Sequence, residues 1–305
     1  MADAREKSEF RSGFVCFVGR PNTGKSTLTN ALVGAKIAIT SSRPQTTRHT
    51  IRGIVHREHA QLILVDTPGL HRPRTLLGQR LNDLVRDTYS EVDVIALCIP
   101  ADEKIGPGDR WIVQQIKQMA PKTTLLGVVT KIDKVSREQI AEQLLAVAQL
   151  LGPEADVVPV SAVRGEQVEV LVDVIASKMP EGPAFYPDGE LTDEPEETLM
   201  AELIREAALE GVRDELPHSL AVVIEEILPY EDREDMLDVH ALLYVERPSQ
   251  KAIVIGKGGS RLKEVGTNAR KQIEHILGTR IYLNLHVKVA KDWQRDPKQL
   301  GKLGF

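Results

Sequence analysis

Short apolar runs alternate with longer amphipathic stretches between residues 13 and 179. FVCFV (14–18), IRGIVHRE (51–58), QLILVD (61–66), DVIALCI (93–99), TTLLGVVT (123–130) and ADVVPVS (155–161) are rich in β-branched residues and read as strands. Helical spacing of apolar positions predicts helices near 25–33, 108–119, 136–151 and 165–178, with a weaker one near 76–90. Such alternation predicts a mostly parallel sheet with helices on both faces. IRGIVHRE and QLILVD lie too close together for a helical crossover, so they read as a hairpin at the sheet edge.

The pattern changes at PEGPAFYPDGELTDEP (180–195), where four prolines and two glycines in sixteen residues mark a linker. Beyond it the pattern predicts a helix near 196–214, strands near 219–228 and 237–246, helical segments flanking residues 256–259, and a last strand, LNLHVKVA. The expected organisation is a flexible N-terminus over 1–12, an α/β domain over 13–180, a linker over 181–196 and an α+β domain over 197–305.

Composition supports this and adds one correction. The 305 residues suffice for two domains, and 27 % charged with 42 % hydrophobic suits a globular chain. A net charge of −5 speaks against nucleic acid until its distribution is considered. Only Arg205, Arg213 and Arg233 are basic between Asp188 and Asp238. From Lys251 to Lys302, twelve Lys and Arg face Glu264, Glu274, Asp292 and Asp296. The two cysteines, Cys16 and Cys98, sit in separate strand-like runs and read as reduced core thiols. With no apolar run of membrane-spanning length and no signal-peptide core in MADAREKSEFRSG, a cytoplasmic location is expected.

GRPNTGKS (19–26) fits G-x-x-x-x-G-K-[ST] between a strand and a helix, the setting of a phosphate-binding P-loop. Gly19, Asn22, Thr23, Gly24 and Thr27 belong to this cradle; Lys25 reaches the β- and γ-phosphates, and the Ser26 hydroxyl serves Mg²⁺. VDTPG (65–69) follows a strand; Asp66 suits Mg²⁺ through water, Thr67 and Pro68 shape the turn, and the Gly69 N–H suits a γ-phosphate. In SSRPQTTRHT (41–50) a threonine hydroxyl completes the Mg²⁺ shell when the third phosphate is present, Thr47 being favoured over Thr46. Lys25, Thr47 and Gly69 are therefore the candidate catalytic groups, and Ser26, Thr47 and Asp66 the candidate Mg²⁺ ligands.

TKID (130–133) and VSA (160–162) end the next two strands. The Asp133 carboxylate can accept from guanine N1–H and its amino group, the Lys131 stem can lie along the base, and Ser161 and Ala162 backbone can meet O6. P-loop, QTTR, DTPG, [NT]KxD and SA in this order resemble a translation-factor-related GTPase. Thr130 stands where asparagine is usual, which puts nucleotide affinity in question more than preference for GTP. Leu70 stands where a Ras-like enzyme has its water-orienting glutamine, and none of Arg43, Arg48 or Arg72 is assignable as an arginine finger. Slow hydrolysis is expected, with potassium or a partner as candidate assistants.

Near the C-terminus, IVIGKGGSRLKEVGTNARKQIEHILG (253–278) places Gly256, Lys257, Gly258 and Gly259 between two helical segments. Without a Cβ at such a turn a nucleic-acid backbone can approach closely. Lys257 then meets phosphate, Lys251, Arg261, Lys263, Arg270 and Lys271 extend the field, and Ile253 and Ile255 line a groove for unstacked bases. Helix–strand–strand–helix–GxxG–helix–strand resembles a type II KH domain. One GTPase domain, a linker with FYP and TDEP, IGKGG and the ending VKVAKDWQRDPKQLGKLGF together resemble the Era family over nearly the whole chain.

That resemblance implies a P-loop GTPase domain followed by a KH domain, binding GTP or GDP with Mg²⁺. It implies association with the 3′ end of small-subunit (16S) ribosomal RNA and a role in maturing that subunit. The residues alone reach only as far as a GTP-dependent binder of single-stranded RNA. Trp293 reads as a packing anchor in preference to a base-stacking platform, and a monomer is the default. The alternative is a membrane-associated signalling GTPase, peripheral at the inner face of the cell membrane, whose basic end meets anionic lipid. Against it, the basic residues alternate with Ile, Val and Gly around a turn and form no Lys-rich amphipathic helix. A fast metabolic nucleotide hydrolase is a third reading, disfavoured by Leu70.

Overall fold

Strand β1 (Arg11–Val18) buries both faces, and the reason is its place in the middle of a six-stranded sheet. The structure, a computed structural model, describes residues 10–40, 47–69, 75–210, 212, 216–231 and 233–305. The expectations for Thr46, Leu70, Arg43, Arg72 and most of the 1–12 terminus fall outside the described residues. Among the described residues no helix is long and apolar enough to cross a membrane.

After β1 come α1 (Lys25–Val33), β2 (Ile51–Arg57), β3 (Ala60–Asp66), α2 (Leu76–Glu91), β4 (Val94–Pro100), α3 (Pro107–Met119), β5 (Thr124–Thr130), α4 (Arg137–Leu151), β6 (Val157–Pro159) and α5 (Val168–Ser177). The sheet order is β2-β3-β1-β4-β5-β6. β2 runs antiparallel to β3, as the hairpin reading expects; the other pairings are parallel. Alternate strand residues serve opposite layers. Val15, Phe17, Val94 and Ala96 pack with Leu28 of α1 and Leu171 of α5, whereas Cys16, Ile95 and Leu97 pack with Ile112 of α3 and Val147 of α4. Cys16 and Cys98 therefore lie in different layers, both buried and free, and burial pushes both thiols up from their ordinary range.

Pairing departs from expectation at the two ends of this unit. β1 begins at Arg11 because its first residues have partners: Arg11 N–H donates to the His59 carbonyl and Ser12 N–H to that of Pro180. Residues 180–193, read as linker, are bonded along the edge strand. Ile54 N–H donates to the Leu191 carbonyl, the Thr192 hydroxyl donates to the Arg52 carbonyl, and Gln61 Oε1 accepts from Phe185 and Tyr186. An edge strand otherwise exposes unpaired N–H and C=O groups, and this strap covers them.

The chain forms two units: residues 10–37, 47–69 and 82–193, and residues 38–40, 75–81 and the described residues from 194. The second contains α6 (Glu196–Leu209), α7 (Leu216–Ser219), β7 (Ala221–Tyr230), β8 (Arg233–Val245), α8 (Pro248–Ile255), α9 (Ser260–Leu277), β9 (Arg280–Val289) and α10 (Pro297–Lys302). β8 pairs antiparallel with β7 and parallel with β9. One sheet face, with Val239, Ala241 and Leu243, packs on Leu203 of α6, Val254 of α8 and Ile273 of α9, and Ile39 joins that core. On the other face Leu242 and Tyr244 meet Leu77, Leu81, Trp293 and Leu300. Trp293 is fully buried, donates through Nε1 to the Ser219 carbonyl at 2.9 Å and stacks on Phe305, so it anchors packing as expected.

Candidate functional site

Strand register brings the carboxyl ends of β1, β3, β4 and β5 to one edge, aligning Phe17 with Asp66, Val18 with Leu97 and Pro100 with Thr130. In open α/β sheets ligands bind at this edge. GRPNTGKS leaves β1 here. A Cβ on Gly19 would stand 2.7 Å from the Cys98 carbonyl oxygen, so glycine is required where the loop begins. Asn22, with φ 65°, turns the backbone toward α1, whose N-terminus no side chain caps. Open N–H groups and the positive dipole end make that terminus an anion site.

Lys25 and Ser26 open α1. Lys25 is buried, and its Nζ donates to the carbonyls of Arg20 (2.9 Å) and Gly19 (3.3 Å). Burial lowers its pKa, opposed by the nearby Asp66 charge. Ser26 Oγ, Thr47 Oγ1 and Asp66 Oδ2 converge: 2.9 Å between the hydroxyls, 2.7 Å from Ser26 to the carboxylate and 3.3 Å from Thr47 to it. Burial pushes the Asp66 carboxyl up, against the pull of the Ser26 hydrogen bond, the Lys25 charge and Thr47. Its second oxygen, Oδ1, is buried with no hydrogen-bond partner among the described residues.

Three hard oxygen donors with one carboxylate oxygen to spare fit Mg²⁺, which prefers such donors together with phosphate oxygens and water. Ser26, Thr47 and Asp66 fill only part of an octahedral shell, and nucleotide phosphate oxygens and water would supply the rest. Thr67 and Pro68 are buried behind Asp66, and the Thr67 hydroxyl donates to the Phe17 carbonyl. Gly69 lies against Pro21 of the P-loop, where an added Cβ would stand 3.3 Å from the Pro21 nitrogen. Thr23 Oγ1 donates to the Arg20 carbonyl, and Thr27 is half-buried in the first turn of α1.

Across the same edge, Thr130 ends β5, Lys131 takes φ 58°, and a single 3₁₀ turn (Ile132–Lys134) presents Asp133. Ser161 Oγ donates to Asp133 Oδ1 at 2.6 Å, which holds that carboxyl below its ordinary range. Reciprocal backbone hydrogen bonds with Glu166 fix Ser161 and set the adjoining Ala162 half-buried. Thr130 Oγ1 donates to the Thr23 carbonyl at 2.6 Å in a buried setting, so the hydroxyl ties this loop to the P-loop. Sequence reading missed Arg20, Glu103 and Asp109, which form ion pairs beside these loops. Their pairing spans more than eighty residues of chain and leaves no local signal.

In the second unit the Gly256–Gly259 turn joins α8 to α9. Gly258 has φ 60°, and a Cβ on either Gly258 or Gly259 would meet nothing within 4 Å. That backbone is open to an approaching chain. Lys257 in the turn and Lys263, Arg270 and Lys271 along α9 are exposed, Lys251 is half-buried, and Ile253 projects at 54 % exposure while Ile255 packs partly into the core. Arg261 behaves differently from its basic neighbours. Its guanidinium donates to the carbonyls of Ala208 and Glu210 at the end of α6, so part of its hydrogen-bonding capacity is already engaged.

Comparison with known proteins finds relatives for both units. Residues 14–131 match the family described as 50S ribosome-binding GTPase, and residues 215–294 match the KH domain family. GTPase Era of Mycolicibacterium smegmatis is 78 % identical over 298 residues, 98 % of this chain and 100 % of that protein. GTPase Era of Mycobacterium tuberculosis is 73 % identical over 299 residues, again 98 % and 100 %. A crystal structure of Era in complex with MgGDPNP and nucleotides 1506–1542 of 16S ribosomal RNA superposes with TM-score 0.92 at 38 % identity, covering 97 % of this chain and 99 % of that one. The chain belongs to the Era family of GTPases.

Proposed function

We propose that this GTPase is a nucleotide-controlled RNA-binding switch that engages the 3′ end of small-subunit ribosomal RNA and acts in maturation of that subunit. The observation that carries the proposal is the open backbone of Gly258 and Gly259, with Lys257 exposed in the turn and Lys263, Arg270 and Lys271 exposed along α9, in a chain that also holds a P-loop. The related Era solved with 16S ribosomal RNA supports the choice of RNA. The protein works as a monomer in the cytoplasm, a setting in which its two buried thiols stay reduced.

The chain's own groups divide the work at the nucleotide. P-loop N–H groups and Lys25 hold the β- and γ-phosphates of GTP, and Thr47 and the Gly69 N–H respond to the third phosphate. Mg²⁺ would be held by Ser26, Thr47 and Asp66, where its charge offsets that of the phosphate oxygens. Asp133 reads guanine, with the Lys131 stem along the base and Ala162 beside O6. Position 70 carries leucine, whose side chain offers no hydrogen bond to an attacking water, so turnover is slow and the GTP state long-lived.

Control of RNA binding follows the path of the chain. Ile39 lies in the KH core, and Glu206 on α6 accepts from the Thr40 N–H at 2.8 Å, seven residues before Thr47 of the phosphate site. Leu77 and Leu81, eight and twelve residues beyond Gly69, pack with Trp293, and Arg80 donates to the Phe305 carbonyl. Segments that answer to the γ-phosphate are thus continuous in sequence with residues of the RNA-binding unit.

Asp133 must stay ionised to accept two N–H groups from guanine, and its pKa is held low first of all by Ser161. Because the charged form is the competent one, affinity is lost as pH falls through that pKa. Ser161→Ala is expected to move the loss of GDP affinity to higher pH, with affinity near neutrality reduced about 3- to 10-fold by the missing charge-assisted hydrogen bond. Fluorescent-GDP titration from pH 4 to 8 checks this; superimposable pH profiles would count against Asp133 as the guanine reader.

The RNA assignment is tested by binding of RNA ending in the small-subunit 3′ sequence against a scrambled strand at two salt concentrations. Preference for the cognate strand is expected. Equal binding with a steep salt slope would reduce the interaction to phosphate attraction.

A further inference from the structure

Glu103 lies in the turn between β4 and α3, and its carboxylate faces two segments of the nucleotide site. Oε2 accepts from Arg20 Nη2 of the P-loop at 2.9 Å, and Oε1 stands 4.0 Å from Lys131 Nζ in the base-reading loop. Arg20 is held from its other side by a 2.7 Å hydrogen bond from Nε to Asp109 Oδ1, and Asp109 is itself buried and accepts from the Gly106 N–H at the start of α3. The Glu103 backbone is pinned as well. Its carbonyl accepts from Gln143 Nε2 at 2.8 Å, and the same nitrogen donates to the Pro100 carbonyl at 2.9 Å. Charges therefore alternate along a fixed row, Asp109, Arg20, Glu103, Lys131, that begins at a helix start and ends beside the base loop.

The residue at 130 explains why such a row matters. Threonine has one hydroxyl donor, and here that donor is used on the Thr23 carbonyl. An asparagine amide has two donors and can serve the P-loop and the base together. We propose that Glu103 is a positioning residue for the guanine nucleotide: by joining Arg20 to Lys131 it couples the grip on phosphate to the grip on base, on the side where Thr130 has no second donor. The inference rests on the nucleotide site assigned above.

The test is stopped-flow displacement of a fluorescent GDP from the full-length protein, with steady-state GTP hydrolysis and thermal melting measured in parallel. Because the pairs are partly exposed, E103Q is expected to raise the GDP off-rate and the KM for GTP by about 3- to 10-fold, with kcat within about twofold and melting unchanged. E103D, which keeps the charge, restores most of the wild-type off-rate. In a T130N background the effect of E103Q shrinks to less than about twofold, because the amide supplies the missing tie. An unchanged off-rate in E103Q overturns the inference. So does an equal effect with threonine or asparagine at 130, or a rise in off-rate that merely follows lost melting temperature in E103Q and E103D alike. Failure of the wild type to bind GDP in preference to ADP would instead overturn the underlying site assignment, so the two failures are distinguishable.

Discussion

Replacing Lys25 by alanine is expected to lower GTP affinity by about 100-fold or more and to bring hydrolysis to background. The ammonium is buried and aimed into the P-loop, where it donates to the Gly19 and Arg20 carbonyls. Phosphate oxygens are better acceptors than these carbonyls, and two charge-assisted hydrogen bonds at about 1.5–3 kcal/mol each account for the loss. The same charge offsets the γ-phosphate as it transfers, so turnover falls further than binding.

Folding should survive, because the substitution also removes a desolvated charge. Asp66 then loses the positive charge that pulls its carboxyl down, and its already raised pKa rises further. A carboxyl whose folded pKa exceeds its unfolded one favours the protonated native state. The nucleotide-free variant should therefore lose stability as pH climbs from the ordinary aspartate range through the raised value. Fluorescent-GTP titration, phosphate release and melting against pH measure these effects. Affinity within threefold of wild type would show that Lys25 does not hold the phosphates.

Gly258→Asp is expected to weaken RNA binding by about 10- to 100-fold at 0.1 M salt while leaving GTP affinity unchanged. At φ 60° an aspartate is tolerated better than most residues, and its Cβ meets no atom within 4 Å, so the stability loss should stay below about 1 kcal/mol. What changes is the open surface of the turn, where the proposed RNA contact lies. A carboxylate there repels phosphate and blocks the close approach that glycine permits. Lys257→Ala makes a useful contrast, since losing one phosphate contact should lower the salt slope by about one without closing the turn. RNA affinity unaltered by Gly258→Asp, with melting unchanged, would move the RNA contact away from this turn.

Much of the architecture was legible because burial on two faces leaves a distinct pattern. FVCFV and DVIALCI are apolar at consecutive positions, and in the fold Val15 and Cys16 serve opposite layers. The short gap between IRGIVHRE and QLILVD likewise forced a hairpin. The GxxxxGKS, DTPG and TKID motifs could be placed at one edge because strand ends in such sheets coincide.

Less legible was whatever depends on side-chain direction or on partners distant in sequence. The proline-rich stretch reads as a linker, and sequence spacing does not report that its Leu191 and Thr192 complete hydrogen bonds of the β2 edge. Arg261 looked like part of the basic field, but its guanidinium turns to the Ala208 and Glu210 carbonyls. Thr130 appeared only as a departure from pattern. That its hydroxyl reaches the Thr23 carbonyl follows from the loop geometry alone.

The most direct test of nucleotide control is fluorescence-anisotropy titration of RNA ending in the small-subunit 3′ sequence against full-length protein loaded with a non-hydrolysable GTP analogue, with GDP, or with no nucleotide. Binding at least about tenfold tighter in the GTP-analogue state is expected, and by linkage that RNA should raise affinity for the analogue, relative to GDP, by the same factor. Equal RNA affinity in the GTP-analogue and GDP states would contradict the switch.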